Sequence, residues 1–169
     1  MANRKVIYEA CFEDYLRTVR VPYVAVDEAK KALFAGVELK SFDFVVYSAS
    51  GVNLLADVKG RKVPPFGPRG RGHLESWTGR DDLDSLARWE TVFGSGFAGL
   101  LVFCYHLPEP AAAKHFEAVH LFRGEYYGLV GVYFKEYAAA CRPRSRSWDT
   151  VSVPAGVFRK MIRPVSAFF

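Results

Sequence analysis

Two apolar runs, residues 42–47 and 52–58, are separated by Ser48, Ala49, Ser50 and Gly51. Short runs rich in β-branched and aromatic side chains, joined by a turn-forming segment, predict an antiparallel hairpin. When it closes around 48–51, Asp43 at the start of the first strand comes close to Asp57 near the end of the second. Asp57 and Lys59 are two apart, so their side chains leave one face of the strand roughly 7 Å apart along the backbone, while Val58 points the other way. One hairpin thus gathers two carboxylates and an ammonium.

Around it, Val6, Ile7, Ala10, Cys11, Tyr15, Leu16 and Val19 recur at helical spacing and predict a first helix over 6–19. Pro22 is a poor helix-interior residue, and residues 21–26 predict a strand. Gly60, Pro64, Pro65, Gly67, Pro68, Gly70, Gly72 and Gly79 make 60–79 read as a long irregular loop, the kind that is often functional in a compact domain. Asp81, Asp82 and Asp84 place negative charge in the first turn of a helix running to about residue 93, where it opposes the positive end of the helix dipole. Residues 98–105 predict a buried strand, and 126–137, dense in aromatic and β-branched residues, include another. Residues 142–146 read as a basic connector and 151–153 as a short last strand. Pro154 opens a C-terminal helix carrying Arg159, Lys160 and Arg163. This order predicts an α/β layer architecture with a mixed sheet. With 169 residues, half of them hydrophobic, the chain suffices for one substantial core and is short for two, so a single domain over 1–169 is expected.

Charge is unevenly spread. Residues 1–58 hold seven Lys and Arg against eight Asp and Glu, and 81–141 hold four against eight. Residues 59–80 hold Lys59, Arg61, Lys62, Arg69, Arg71 and Arg80 against Glu75 alone, and 142–169 hold six cations against Asp149 alone. Cations gathered into two segments suit a polyanion-binding surface; a merely solvated face is the competing reading. No run approaches the roughly 20 apolar residues of a membrane span. The amino-terminal segment lacks the apolar stretch of a secretory signal, so a cytoplasmic protein without membrane contact is expected. The three cysteines, Cys11, Cys104 and Cys141, show no close spacing and imply no disulfide framework.

Two carboxylates at one point repel each other and are costly to desolvate, so they are expected to hold a cation unless one takes up a proton. Mg²⁺ is hard, prefers oxygen ligands and is commonly held by one or two carboxylates plus substrate phosphate. A neighbouring lysine can then orient water or stabilise charge on the scissile phosphate.

In order, Asp43, Asp57 and Lys59 match an Asp on one strand followed by an acid, any residue and Lys on the next. This resembles the PD-(D/E)XK nuclease superfamily. Leu55-Ala-Asp-Val-Lys-Gly-Arg-Lys62 is similar to the corresponding strand of archaeal Holliday-junction resolvases and their bacterial relatives, and the order of elements matches over residues 5–105. Phe42 stands where the motif has Pro, and the second acid is Asp where Glu is commoner. The resemblance implies a restriction-endonuclease-like mixed β-sheet flanked by helices and a Mg²⁺- or Mn²⁺-dependent endo- or exonuclease acting on nucleic acid, DNA before RNA, in repair, recombination or defence. It implies catalysis by Asp43, Asp57, Lys59 and Glu9, with metal held by Asp43, Asp57 and Glu9. Glu13, four residues on and on the same helical face, is the alternative first-helix acid. Arg61, Lys62, Arg69 and Arg71 are expected to contact phosphates, and relatives of this kind often form homodimers. The alternative is a non-catalytic nucleic-acid-binding or interaction module on the same fold.

Other signals are weaker. Gly94-Ser-Gly-Phe-Ala-Gly99 satisfies G-x-G-x-x-G but follows a helix and precedes a strand, the reverse of a dinucleotide site, so it is read as a turn. Cys104, His106, His115, His120 and Cys141 lack zinc-ligand spacing. His73, Glu75 and Trp77 are placed to touch substrate, Trp77 and Trp89 are candidates for base stacking, and Trp89 is better read as buried.

Overall fold

A computed structural model describes residues 4–27, 32–34, 36–65 and 73–169. The predicted hairpin forms its spine. β4 (Phe44–Val46) pairs antiparallel with β5 (Asn53–Lys62), with Phe44 opposite Ala56, Val45 opposite Leu55 and Val46 opposite Leu54. β1 (Tyr23–Ala25) joins the outer side of β4, and a small hairpin of β2 (Ala32–Phe34) and β3 (Val37–Leu39), not anticipated from the sequence, lies between β1 and β4 in the chain.

β5 does not end at Val58 as its apolar run suggests. β7 (Phe97–Leu107) runs parallel beside it from the Asn53–Phe97 pair to the Lys62–His106 pair, so backbone pairing holds Gly60, Arg61 and Lys62 extended where composition alone reads as loop. β7 is buried along most of its length, as befits a central strand with both faces covered. β9 (Glu125–Tyr133) pairs antiparallel with β7 and also takes β8 (Val119–Phe122) and the short β12 (Arg163–Pro164). The result is a mixed seven-stranded sheet ordered β1-β4-β5-β7-β9-β12, with β8 beside β9.

The period of two along β5 sorts its side chains into two layers. Leu54, Ala56 and Val58 pack with Cys11, Phe12 and Leu16 of α1 (Arg4–Thr18) and with Val165 and Phe168 near the C-terminus. Leu55 and Val63 face the opposite layer, where Leu83 and Leu86 of α2 (Arg80–Phe93) meet Phe103, Tyr105, Tyr137 and Phe158. Asp57, Lys59 and Arg61 share the parity of Leu55 and therefore look toward α2.

The aromatic run 126–137 includes the expected strand, which ends at Tyr133, and α3 (Phe134–Ala140) takes the remainder. Two further readings are corrected. The basic connector contains β10 (Arg142–Ser145), which pairs with β11 (Thr150–Ser152), itself paired with β6 (Thr78–Gly79). α4 (Ala155–Met161) carries Arg159 and Lys160 but stops before Arg163, which lies in β12. The glycine-rich stretch is the expected turn: Gly94 caps α2 at φ 77° and β7 begins at Phe97. Among the described residues no helix is long and apolar enough to cross a membrane.

Candidate active site

β4 covers only Leu54, Leu55 and Ala56 of β5. Beyond them the edge of β5 leaves β4, and Asp43 sits at that departure. Its N–H donates to the Ala56 carbonyl at 2.9 Å, and its Oδ2 accepts the Val58 N–H at 2.6 Å. Asp43 thus grips β5 on both sides of Asp57, and continuing the register sets the two aspartates side by side. Both are buried, at 4% and 8% exposure.

Lys59 Nζ lies 2.9 Å from Asp57 Oδ2 and 2.8 Å from Asp82 Oδ2. Asp82 belongs to the first turn of α2, where Thr78 Oγ1 donates to its Oδ2 at 3.3 Å and Lys40 Nζ reaches its Oδ1 at 3.1 Å. Lys40 also pairs with Asp81 at 2.7 Å. The site is therefore a row of alternating charge: Asp43 and Asp57, Lys59, Asp82, Lys40.

Burial and this alternation push the groups apart. Loss of water raises the Asp57 carboxyl above its ordinary range; Lys59 opposes the rise, the charge of Asp82 adds to it, and the Asp43 carboxyl, within hydrogen-bonding reach, opposes it. For Asp82 burial also works upward, but Lys59 and Lys40 outweigh it and hold the carboxyl down at about 2. Lys59 is raised, because the attraction of Asp57 and Asp82 overcomes its desolvation, so it is an ammonium at neutral pH. It can donate hydrogen bonds and positive charge; it cannot serve as a base.

Asp82 and Lys40 are the members of this row that sequence reasoning leaves out, and Asp82 is the one that touches Lys59. It was read as a counter-charge to the helix dipole, and nothing within the local pattern tells it from Asp81 or Asp84. Its tie to Lys59 arises only because α2 packs on the Leu55 face of β5. That tie has a pH signature. A carboxylate depressed from an ordinary 3.8 to about 2 contributes stability that is complete above pH 4 and disappears as pH falls toward 2. Asp82→Asn is expected to lose ~2 kcal/mol at neutral pH and to show a flatter decline in stability between pH 4 and 2, measured by urea unfolding across that range.

A groove of about 730 Å³ wraps the open edge of β5. Tyr8 reaches it from the α1 layer, Trp77, Thr78 and Asp82 from the other, and Lys59 and Lys62 from the strand itself. Lys62 is exposed. Arg61 is not extended into solvent: its guanidinium lies 3.7 Å from the centre of the Trp77 ring and donates to the carbonyls of Gly60 and Trp77, with only 10% of the side chain exposed. Burial lowers its pKa. Arg69 and Arg71 lie outside the described residues.

The first-helix acids separate clearly. Glu13 accepts hydrogen bonds from Arg17 and from the Tyr23 hydroxyl, both at 2.9 Å, which commits it to the contact between α1 and β1. Glu9 follows Tyr8, whose ring lies over Gly60, so it rides on the turn of α1 that touches β5 beside Lys59, approaching from the layer opposite Asp57. Its Oε1 is shielded from solvent.

The other aromatic and zinc candidates do not gather at the aspartates, although His106 lines the groove. Trp89 packs edge-on to Phe42 and donates to the Lys40 carbonyl at 2.8 Å. His120 bonds Asp14 at 2.7 Å, His106 bonds Glu125 at 3.0 Å, and Cys104 is buried. Among the described residues no group of three or more His, Cys, Asp and Glu side chains forms a ready metal cage. Asp43 and Asp57 nevertheless fit a hard divalent ion that keeps most of its waters: they are adjacent buried carboxyls that offer oxygen donors only.

No family model and no curated protein match this chain. Its structure is similar to that of Hjc, a Holliday junction resolvase from the archaeal hyperthermophile Archaeoglobus fulgidus, with a TM-score of 0.55 over 95% of this chain and 96% of that one, at 12% identity. At that identity the likeness concerns the fold. The chain has the restriction-endonuclease-like α/β architecture, a mixed sheet flanked by helices.

Proposed function

We propose that this chain is a divalent-metal-dependent nuclease of the PD-(D/E)XK kind. It would hydrolyse phosphodiester bonds in nucleic acid, DNA ahead of RNA, in repair, recombination or defence, as one domain spanning 1–169. The observation that carries the proposal is Asp43 clamped across Asp57 at the open edge of β5, with Lys59 held beside them.

Asp43 and Asp57 would hold Mg²⁺ or Mn²⁺, with Glu9 as the third acid from the α1 side. Bound there, the ion supplies Lewis acidity to the phosphoryl group and acidifies the attacking water. Lys59 spends N–H donors on Asp57 and Asp82 and, as an ammonium with three in all, can direct one at a phosphoryl oxygen as negative charge grows there. Asp82 positions Lys59. Thr78 and Lys40 position Asp82, so the ammonium is oriented before substrate arrives. Lys62 at the groove mouth, with Arg69 and Arg71, would hold the phosphate backbone without reading sequence.

Incubation with plasmid, four-way-junction and single-stranded DNA is expected to give cleavage with Mg²⁺ or Mn²⁺ and none with EDTA. Lys59→Met should lower the rate by about 10²-fold or more, the scale of one lost electrostatic stabiliser. Salt-sensitive binding of all three DNAs without cleavage in either metal would instead identify a binding module.

A further inference from the structure

Trp148 is 80% exposed, an unusual setting for the largest aromatic side chain. It occupies the turn between β10 and β11, and this turn is well braced. Trp148 N–H donates to Ser145 Oγ at 3.3 Å and Asp149 N–H to the Arg146 carbonyl at 3.3 Å; Asp149 adopts φ 45°. The Arg80 N–H donates to the Asp149 carbonyl at 3.0 Å, and Arg80 Nε lies 3.1 Å from Asp149 Oδ1. The hairpin is thereby tied to the first residue of α2, two positions before Asp82. β11 also pairs with Thr78 and Gly79 of β6. An exposed indole is thus held on a rigid mount attached to the wall of the groove.

Its surroundings are cationic. Arg142, Arg144 and Arg146 are exposed on the same hairpin, and its one acid, Asp149, is paired with Arg80. The Arg144 guanidinium lies 5.2 Å from the centre of the Trp77 ring, on which Arg61 also rests, so the basic hairpin adjoins the groove across Trp77. Cations that attract a phosphate backbone, beside an aromatic face free to take a base, are the two elements that bind unpaired nucleic acid. A fully paired duplex hides its base faces everywhere except at its ends and branches.

We propose that Trp148 is a stacking platform for an unpaired nucleobase, so that the groove takes DNA with a single-stranded segment beside a duplex. This rests on the nuclease reading for the identity of the polymer. It commits the hairpin to DNA.

The test measures binding by fluorescence anisotropy, in EDTA to prevent cleavage, of a blunt duplex and the same duplex bearing a single-stranded overhang. Wild type is expected to bind the overhang DNA more tightly, with quenching of tryptophan emission. Trp148→Ala should weaken that complex by about tenfold, abolish the quenching and change blunt-duplex binding less than twofold, while Trp148→Phe keeps most of the affinity. Arg146→Ala should weaken both DNAs equally and lower the salt dependence of binding by about one counterion. Equal affinities of wild type and Trp148→Ala for the overhang DNA would overturn the proposal, as would an equal loss on both DNAs or a phenylalanine variant no better than alanine. Metal-dependent cleavage that does not respond to Trp148 would leave the nuclease reading standing and remove this one. Trp148-dependent overhang binding without cleavage would do the reverse.

Discussion

Asp57→Asn is expected to abolish metal-dependent cleavage while leaving the protein as stable as wild type, or more so, at neutral pH. The amide keeps the shape of the carboxyl but withdraws the charge that would face the ion and pair with Lys59, so a rate loss of about 10³-fold is expected. The effect on stability runs the other way. Burial raises the Asp57 pKa above the ordinary 3.8, so the folded state favours the protonated form. Its contribution to stability is complete below pH 3.8 and is lost as pH rises through the elevated folded value. Asparagine does not titrate and escapes that loss. The variant should therefore gain on wild type as pH climbs from about 4, and the gap should close again in acid. Urea unfolding at several pH values reads the stability, and single-turnover cleavage reads the rate. A variant that unfolds readily at pH 7 would show that Asp57 is a structural ion-pair partner of Lys59; one that cleaves like wild type would remove Asp57 from the chemistry.

The contrast between Asp57 and Asp82 shows what could be read from the sequence. Asp43, Asp57 and Lys59 belong to one hairpin, and a hairpin's register is written locally: two apolar runs, a turn between them, and a period of two that sends alternate side chains to opposite faces. Their meeting could be foreseen from 17 consecutive residues, 43–59. Asp82 reaches Lys59 across 23 positions, through packing of a helix that the sequence identifies but cannot orient. β10 was illegible for a related reason. Arg142, Pro143, Arg144 and Ser145 have no strand pattern, and Pro143 is tolerated because β10 borders β11 alone at the edge of its small sheet. α3 left a usable sign in Ala138, Ala139 and Ala140, strong helix formers after a run of strand formers. The Trp77 indole, a base-stacking candidate by sequence, lines the groove with the Arg61 guanidinium on its ring, an arrangement set by the extension of β5 past Val58.

The same extension makes Gly60 the most sensitive small residue near the site. In most strands alanine in place of glycine stabilises, by about 0.5–1 kcal/mol, because glycine loses more chain entropy on folding. At Gly60 the sign should reverse. A Cβ there would fall within the Tyr8 ring, which also packs edge-on against Tyr127 at 6.1 Å and is held by α1. Either the ring or the first turns of α1 must move. Overpacking of this kind costs about 1–3 kcal/mol, so Gly60→Ala should lower Tm by several degrees. Gly60 lies between Lys59 and Arg61, and the displaced turn carries Glu9, so cleavage by the fully folded variant should also fall, by about tenfold for a barrier shift near 1.4 kcal/mol. A double-mutant cycle separates this account from a generic backbone defect. Tyr8→Ala makes the room that the new methyl needs, so the pair should be less damaged than the sum of the single changes, with a coupling of about 0.5–3 kcal/mol. Additive losses would place the cause in the β5 backbone, and a rise in Tm for Gly60→Ala alone would mean that Tyr8 does not press on β5 at all.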